Sequence, residues 1–168
     1  MKSRRWPLAV MAVLLAAGAG LVLRLCVFGT VRVAGASMRD TLQSGDLALV
    51  TRLEYTSRDP GRGDVVQCRF PGRSDTYVKR IVGLPGDDVV FQGGMLTVNG
   101  SPVSEPYLST PTEDYAVTLG EDEYLALGDN RADSYDSRMA DMGPIGRADI
   151  LGRVRWILFP LSRFGPIQ

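Results

Sequence analysis

The sequence contains no histidine. That single absence removes the Ser-His-Asp and Cys-His nucleophile systems, histidine general bases and His-ligated zinc. Cysteine is nearly absent as well, with only Cys26 and Cys68 present. Cys26 sits in an apolar N-terminal segment, so a bridge to Cys68 would tie that segment to the rest of the chain. Neither a disulfide framework nor a four-cysteine metal site is available, and no metal or cofactor is implied. An excess of one charge is also missing, because nineteen basic and nineteen acidic residues cancel. Nucleic-acid-binding domains are strongly basic, so no nucleic-acid partner is expected. Lysine is scarce. Of the nineteen basic residues only Lys2 and Lys79 are lysines. Past residue 2 the chain uses arginine wherever it places a cation, except at Lys79.

What is present begins with MKSRRWPLAVMAVLLAAGAGLVLRLCVF. Lys2, Arg4 and Arg5 precede an uncharged apolar run from Trp6 to Leu23. As a helix that run measures about 27 Å, close to a hydrocarbon core of about 30 Å. Arg24 can snorkel to the far interface and extend the span through Phe28. The alternative is a cleaved signal peptide, because AGAG and VAGA resemble small-residue cleavage sites. The run exceeds the h-region of such peptides, which favours an uncleaved anchor. Basic residues weight the N-terminal flank, and the positive-inside rule then puts the rest outside the cytoplasm. The expectation is a cytoplasmic basic tail over 1–5, a single transmembrane helix over 6–28 in the cell membrane, and an extracytoplasmic domain over 29–168.

A chain of 168 residues suits one such domain. After residue 30 the pattern is short β-prone runs with turn chemistry between them. The runs are 46–53, 63–70, 76–83, 88–92, 95–99, 123–129 and 152–159. DPGRGD, PGRSD, LPGDD, GG and NG punctuate them. FQGGMLTVNGSPV reads as a meander turning at Gly93-Gly94 and at Asn99-Gly100. The polar, Pro-bearing stretch 102–122 reads as a surface excursion. The expected class is mainly β: an all-β domain of short strands preceded by one membrane helix.

Lys79 lies in one of the strand patterns, TYVKRIV. Period 2 places Tyr77, Lys79 and Ile81 on one face and Val78, Arg80 and Val82 on the other. A buried lysine loses its proton readily and can act as a general base, which arginine cannot. A surface lysine whose stem covers apolar area fits the same spacing. A nucleophile for such a base is offered by Ser37 in VAGASMRDTLQSGD. Gly35 and Ala36 before it let another backbone approach, and the Ser37 N–H can face an oxyanion. An ordinary loop serine is the plain alternative. Cys68 is a second candidate nucleophile, with no sign of activation. A third constellation is LALGDNRADSYDSRMADMGPIG (125–146). Its charges can form bidentate Arg–carboxylate bonds that rigidify it, or surface pairs of little value.

GASM with TLQSGD following, then YVKRIVGLPGD, then GDNRADSYDSR, resemble the three signature blocks of type I signal peptidases, the S26 Ser-Lys proteases, in that order. The resemblance runs from residue 1 to about 158, and the N-terminal anchor fits it. It implies a signal-peptidase-like β-fold and a membrane-anchored serine endopeptidase. Such an enzyme removes signal peptides from secreted preproteins, cutting after small residues through an acyl-enzyme. It implies Ser37 as nucleophile, Lys79 as general base and Ser134 as the hydroxyl that orients the amine. The Ser37 N–H would form one part of the oxyanion hole and the Gly35 N–H the other. Asp136 and Arg138 match bracing residues, and Asp129, Asn130 and Arg131 belong to the same block. Met38 matches a residue packed beside the nucleophile. The expected partners are preproteins and membrane lipid.

One departure is visible: Asp40 stands where the family usually has proline. Proline would fix φ near −65°, whereas aspartate can hold a turn through its side chain. The apolar C-terminal stretch WILFPLSRF reads as a last core strand with a short tail, or as a lipid contact. Three other readings of the chain remain at this point. One is a self-cleaving Ser-Lys protease. A second is a non-catalytic anchored β-domain that binds partners. The third is an enzyme whose Ser37 is freed as a new N-terminus by cleavage at AGA.

Overall fold

The computed structural model describes residues 5–39 and 41–167. Residues 1–4 of the expected basic tail, and Asp40, lie outside the described residues. The order of elements is α1 (Arg5–Cys26), β1 (Phe28–Arg32), β2 (Leu47–Thr51), α2 (Glu54–Ser57), β3 (Val65–Cys68), β4 (Tyr77–Gly83), β5 (Asp88–Gln92), β6 (Met95–Val98), β7 (Ser101–Val103), β8 (Tyr115–Thr118), β9 (Leu125–Leu127), β10 (Ile150–Phe159) and β11 (Gly165–Pro166). Short 3-10 turns occupy Arg131–Asp133, Arg147–Asp149 and Leu161–Arg163. The architecture is mainly β, as the strand-and-turn pattern predicts.

The N-terminal expectation needs correction. Helix α1 ends at Cys26 rather than at residue 28. Phe28 instead opens β1 and pairs with Thr51. Among the described residues no helix is long and apolar enough to cross a membrane. The structure therefore shows a helix where a membrane span was expected, and not the span itself.

Two antiparallel sheets build the domain. The larger has the order β1-β2-β10-β3-β4-β9, with β11 added beside β10. The smaller has the order β7-β6-β5-β8. The expected meander is present, with Gln92 opposite Met95 and Val98 opposite Ser101. Gly93, Gly94, Asn99 and Gly100 all take positive φ, as tight two-residue hairpin turns require. β8 falls inside the 102–122 stretch and pairs with β5 from Asp88 to Phe91. Its sequence YAVT turns Tyr115 and Val117 inward and leaves Ala116 and Thr118 exposed, the alternation of an edge strand.

Three apolar clusters fill the interior. Val82, Leu125 and Leu127 of the large sheet meet Val89, Phe91, Leu96 and Val98 of the small one and weld the two together. On the large sheet, Lys79 sits opposite Val66, and Arg80 opposite Val65. Val66, Cys68 and Ile81 belong to one cluster and Val65 to another, so β4 carries core on both faces. WILFPLSRF contains the end of β10. Ile157 is buried there, while Trp156, Phe159, Leu161 and Phe164 are exposed.

Candidate active site

The three signature blocks meet at one place. Ser37 lies in the loop between β1 and β2, Lys79 in the middle of β4, and Ser134 just past the 3-10 turn that follows β9. Gly128 stands between them. A methyl group at that position would overlap Ser134 Oγ and the Ser37 carbonyl oxygen, so only glycine lets the two segments close. The loop carrying Ser37 is pinned from the third block. The Asn130 N–H donates to the Ser37 carbonyl (3.0 Å) and the Asn130 side-chain amide to the Ala36 carbonyl (3.1 Å). Met38, buried beside Ser37, receives the Asp129 N–H on its sulfur at 3.4 Å.

Lys79 is 2% exposed. Its Nζ donates to Ser134 Oγ at 2.9 Å. The Asp136 carboxylate lies close enough to the Ser134 hydroxyl to be held low by it. Burial drives the Lys79 amine below its ordinary value of 10.5. Asp136, Cys68 and Asp129 oppose that shift, and Arg138 reinforces it. Burial by itself would raise the Asp136 carboxyl, but hydrogen bonds from Arg138, Ser134 and the Gly128 N–H outweigh it and hold Asp136 low. So Ser134 holds the amine, and a carboxylate kept low in pKa stands behind it. Among the described residues no hydrogen bond joins Ser37 Oγ to Lys79 Nζ. The Ser37 and Gly35 N–H groups likewise make no bond to another described group of the chain. Gly35 takes φ 87°, a left-handed conformation natural to glycine.

The remaining residues of the third block form nested ion pairs. Asp136 pairs with Arg138, which also donates to the Arg131 carbonyl at 2.9 Å. Arg131 Nε donates to the Gly128 carbonyl at 3.0 Å. Asp129 is fully buried and grips Arg80 through both oxygens, at 2.9 and 2.8 Å. Thr41, four residues past Ser37, donates to the same carboxylate.

Arg80 is the residue the sequence misleads on most. Beside a special lysine it reads as an ordinary cation. It is 2% exposed, fork-bonded to Asp129 and bonded to the Gly63 carbonyl, because its face of β4 is covered as fully as the other. Val78 and Val82, the apolar residues that share its face, are the available signal. Glu105, Tyr107 and Thr112 also escape sequence reasoning. They come from 102–122 and lie over the same ion pairs. Glu105 takes Arg131 at 2.5 and 3.1 Å, Thr112 takes it as well, and the Tyr107 ring sits 3.8 Å from the Arg80 guanidinium carbon. No spacing in that polar stretch announces such contacts.

Cys68, the alternative nucleophile, is fully buried, and burial pushes its thiol up to about 12. A thiol so protonated is no nucleophile.

A narrow cavity of about 220 Å³ reaches Ser37 between Val31–Ala34 on one wall and Thr76–Val78 on the other. β9 pairs only with Arg80, Ile81 and Gly83 of β4, which leaves the Tyr77–Val78 backbone open on that side. β1 is the other open edge. An extended peptide can add between these two strands.

Known proteins share this arrangement of chain. The family model described as signal peptidase, peptidase S26, matches residues 4–159. A probable signal peptidase I-2 of Synechocystis is 37% identical over 164 residues, which cover 93% of this chain and 72% of the relative. The signal peptidase I of Bacillus caldolyticus is 35% identical over 179 residues, covering 97% of this chain and 94% of the relative. A crystal structure of a signal peptidase I from Enterococcus faecalis superposes with a TM-score of 0.53 at 30% identity. It covers 57% of this chain and 97% of that one. The chain belongs to the S26 signal peptidase family.

Proposed function

We propose that this S26-family peptidase removes N-terminal signal peptides from secreted preproteins with Ser37 as nucleophile and Lys79 as general base. The observation that carries the assignment of roles is the buried Lys79 amine held at 2.9 Å by Ser134, in a chain without histidine. Desolvation favours the neutral amine, whose lone pair can take the Ser37 proton. Ser37 Oγ then attacks the scissile carbonyl. The Ser37 and Gly35 N–H groups hold the oxyanion. Lys79, now an ammonium, returns the proton to the leaving amine. Water hydrolyses the acyl-enzyme with Lys79 again as base. Ser134 touches no substrate atom in this scheme; it aims the amine. Asp129, Asn130, Arg131, Asp136 and Arg138 brace the loop and the amine. The substrate adds as a strand between Val31–Ala34 and Thr76–Val78, along the cavity beside Ser37, with a small side chain next to the cut.

The chain is anchored by α1, with residues 1–5 cytoplasmic and 29–168 outside. Support comes from the uncharged run 6–23 and from the exposure of Trp6, Met11, Val13, Leu14 and Leu15 on the helix. The exposed Trp156 and Phe159 of β10, with Leu161 and Phe164 just after it, give lipid a second contact.

Cleavage of a model preprotein in detergent tests the assignment. Ser37→Ala and Lys79→Arg should each abolish turnover. Arginine matches lysine in length but stays charged. Retained cleavage by Lys79→Arg would sink the dyad.

A further inference from the structure

Two cavities bracket the turn that carries Ser37. The narrow one receives the signal-peptide side of the substrate in the reading above. The second, about 420 Å³, is lined by Gly35, Ala36, Arg39, Gln43 and Ser44 and has no occupant in that reading. The backbone between the two is fixed. The Ala36 carbonyl accepts the Arg39 N–H at 3.0 Å as well as the Asn130 side-chain amide. Arg39 is thereby held one tight turn from Ala36 and two residues from the nucleophile. It is exposed, and its guanidinium engages no partner among the described residues. The buried carboxylates bonded to this loop are already taken, Asp46 by Arg163 and Asp129 by Arg80.

We infer that this second cavity receives the first residues after the scissile bond, and that Arg39 selects an acidic side chain there. The inference rests on Ser37 being the nucleophile. The narrow cavity borders Ser37 and Met38 and the second one Gly35, Ala36 and Arg39, so a peptide whose acyl side lies in the first finds the second beside the same turn. Two extended residues span about 7 Å, within the reach of an arginine side chain rooted on that turn. Gly35 leaves its own site open, since a methyl group there would meet nothing within 4 Å. Gln43 and Ser44 add neutral polar groups to the wall, so Arg39 is the lining residue that reads charge.

The test uses the full chain in detergent and three preproteins that differ only at the second residue after the cut: glutamate, glutamine or lysine. The expected order of kcat/KM is glutamate, then glutamine, then lysine. An exposed pair gives a modest effect, so the extremes should differ about threefold to tenfold at low ionic strength. The difference should shrink towards none in molar salt, where screening reaches down to about 3 Å. Arg39→Glu should invert the order. Equal rates for all three with the wild-type chain, or an order that survives Arg39→Glu, overturns the subsite while leaving Ser37 and Lys79 in place. Cleavage of none of the three by the wild-type chain overturns the subsite and the proposed function together.

Discussion

Lys79 and Arg80 are adjacent in β4, point to opposite faces, and are each 2% exposed. They solve burial in different ways. Arg80 keeps its charge and saturates its donors with Asp129, Gly63 and Thr41. Lys79 is given the Ser134 hydroxyl and no carboxylate in direct contact. The cation that must stay charged is an arginine with a fork partner. The cation that releases its proton in the proposed mechanism is a lysine without one.

Lys79 opposes folding at neutral pH, and this yields a prediction on stability. Its folded-state pKa lies below the 10.5 of the exposed amine. Between those two values the unfolded chain binds more protons than the folded one, so this group's contribution to stability rises as pH rises through that window. Lys79→Met should abolish cleavage yet raise the melting temperature, by about 2–4 °C for each kcal/mol of desolvation recovered. The gain should be smaller at pH 10 than at pH 7. A melting temperature that falls, in thermal unfolding at both pH values, would show the amine to be charged and paired. The cleavage rate of the wild-type chain should rise with pH along a limb centred below 10.5.

Gly128→Ala is the sharpest geometric prediction. The added methyl overlaps Ser134 Oγ and the Ser37 carbonyl, both of which the site needs in place. The two segments must part, and misplacement by about 1 Å can cost about 10²-fold in rate. The expected outcome is a folded chain with kcat down by that order. A comparison with Gly165→Ala, whose added methyl meets nothing within 4 Å and whose φ is not positive, controls for the loss of a glycine. Full activity in Gly128→Ala would mean that Ser134 does not need to sit where it does.

The 102–122 stretch should matter to turnover through Glu105. Its carboxylate and the Arg131 guanidinium have side chains 8% and 1% exposed. Glu105→Gln leaves Arg131 buried without its counter-charge, which costs about 3–5 kcal/mol of stability. Arg131 also holds the Gly128 carbonyl, so kcat should fall while KM stays. Glu105→Asp should restore part of the rate. Tyr107→Leu removes a ring from Arg80 and should cost less, about 0.5–2 kcal/mol. Denaturant unfolding alongside steady-state kinetics separates the two effects. A stability loss with unchanged kcat would reduce the stretch to packing.

Most of the strands, both hairpin turns and the meeting of three blocks were legible in the sequence, for identifiable reasons. Gly93-Gly94 and Asn99-Gly100 carry their turn type in their residues. Lys79 stands out because past residue 2 every other cation is an arginine. β1 was not legible, since FGTVR follows an apolar run without a turn signal and becomes a strand only by pairing with β2. Arg80 was misread because strand alternation says which face a residue takes, and says nothing of what covers that face. Glu105 and Tyr107 are tertiary contacts from a polar stretch, which no local pattern encodes.

The Arg80–Asp129 pair should be worth more to the site than its charges alone suggest. Asp129 accepts from Thr41, four residues past Ser37, and from Arg80, next to Lys79. The pair therefore ties the Ser37 loop to β4. Arg80→Lys keeps the charge but loses the fork, because an ammonium cannot span both carboxylate oxygens and still reach Gly63. Arg80→Met strands a buried carboxylate and should cost about 3–5 kcal/mol. Arg80→Lys should cost less in stability yet reduce kcat by a similar factor, since Thr41 and Ser37 lose the same alignment. Asp129→Asn combined with Arg80→Met removes both charges, so it should recover stability relative to either single change and should not recover kcat. A double variant with normal kcat would show that the pair stabilises the fold without aligning the catalytic groups.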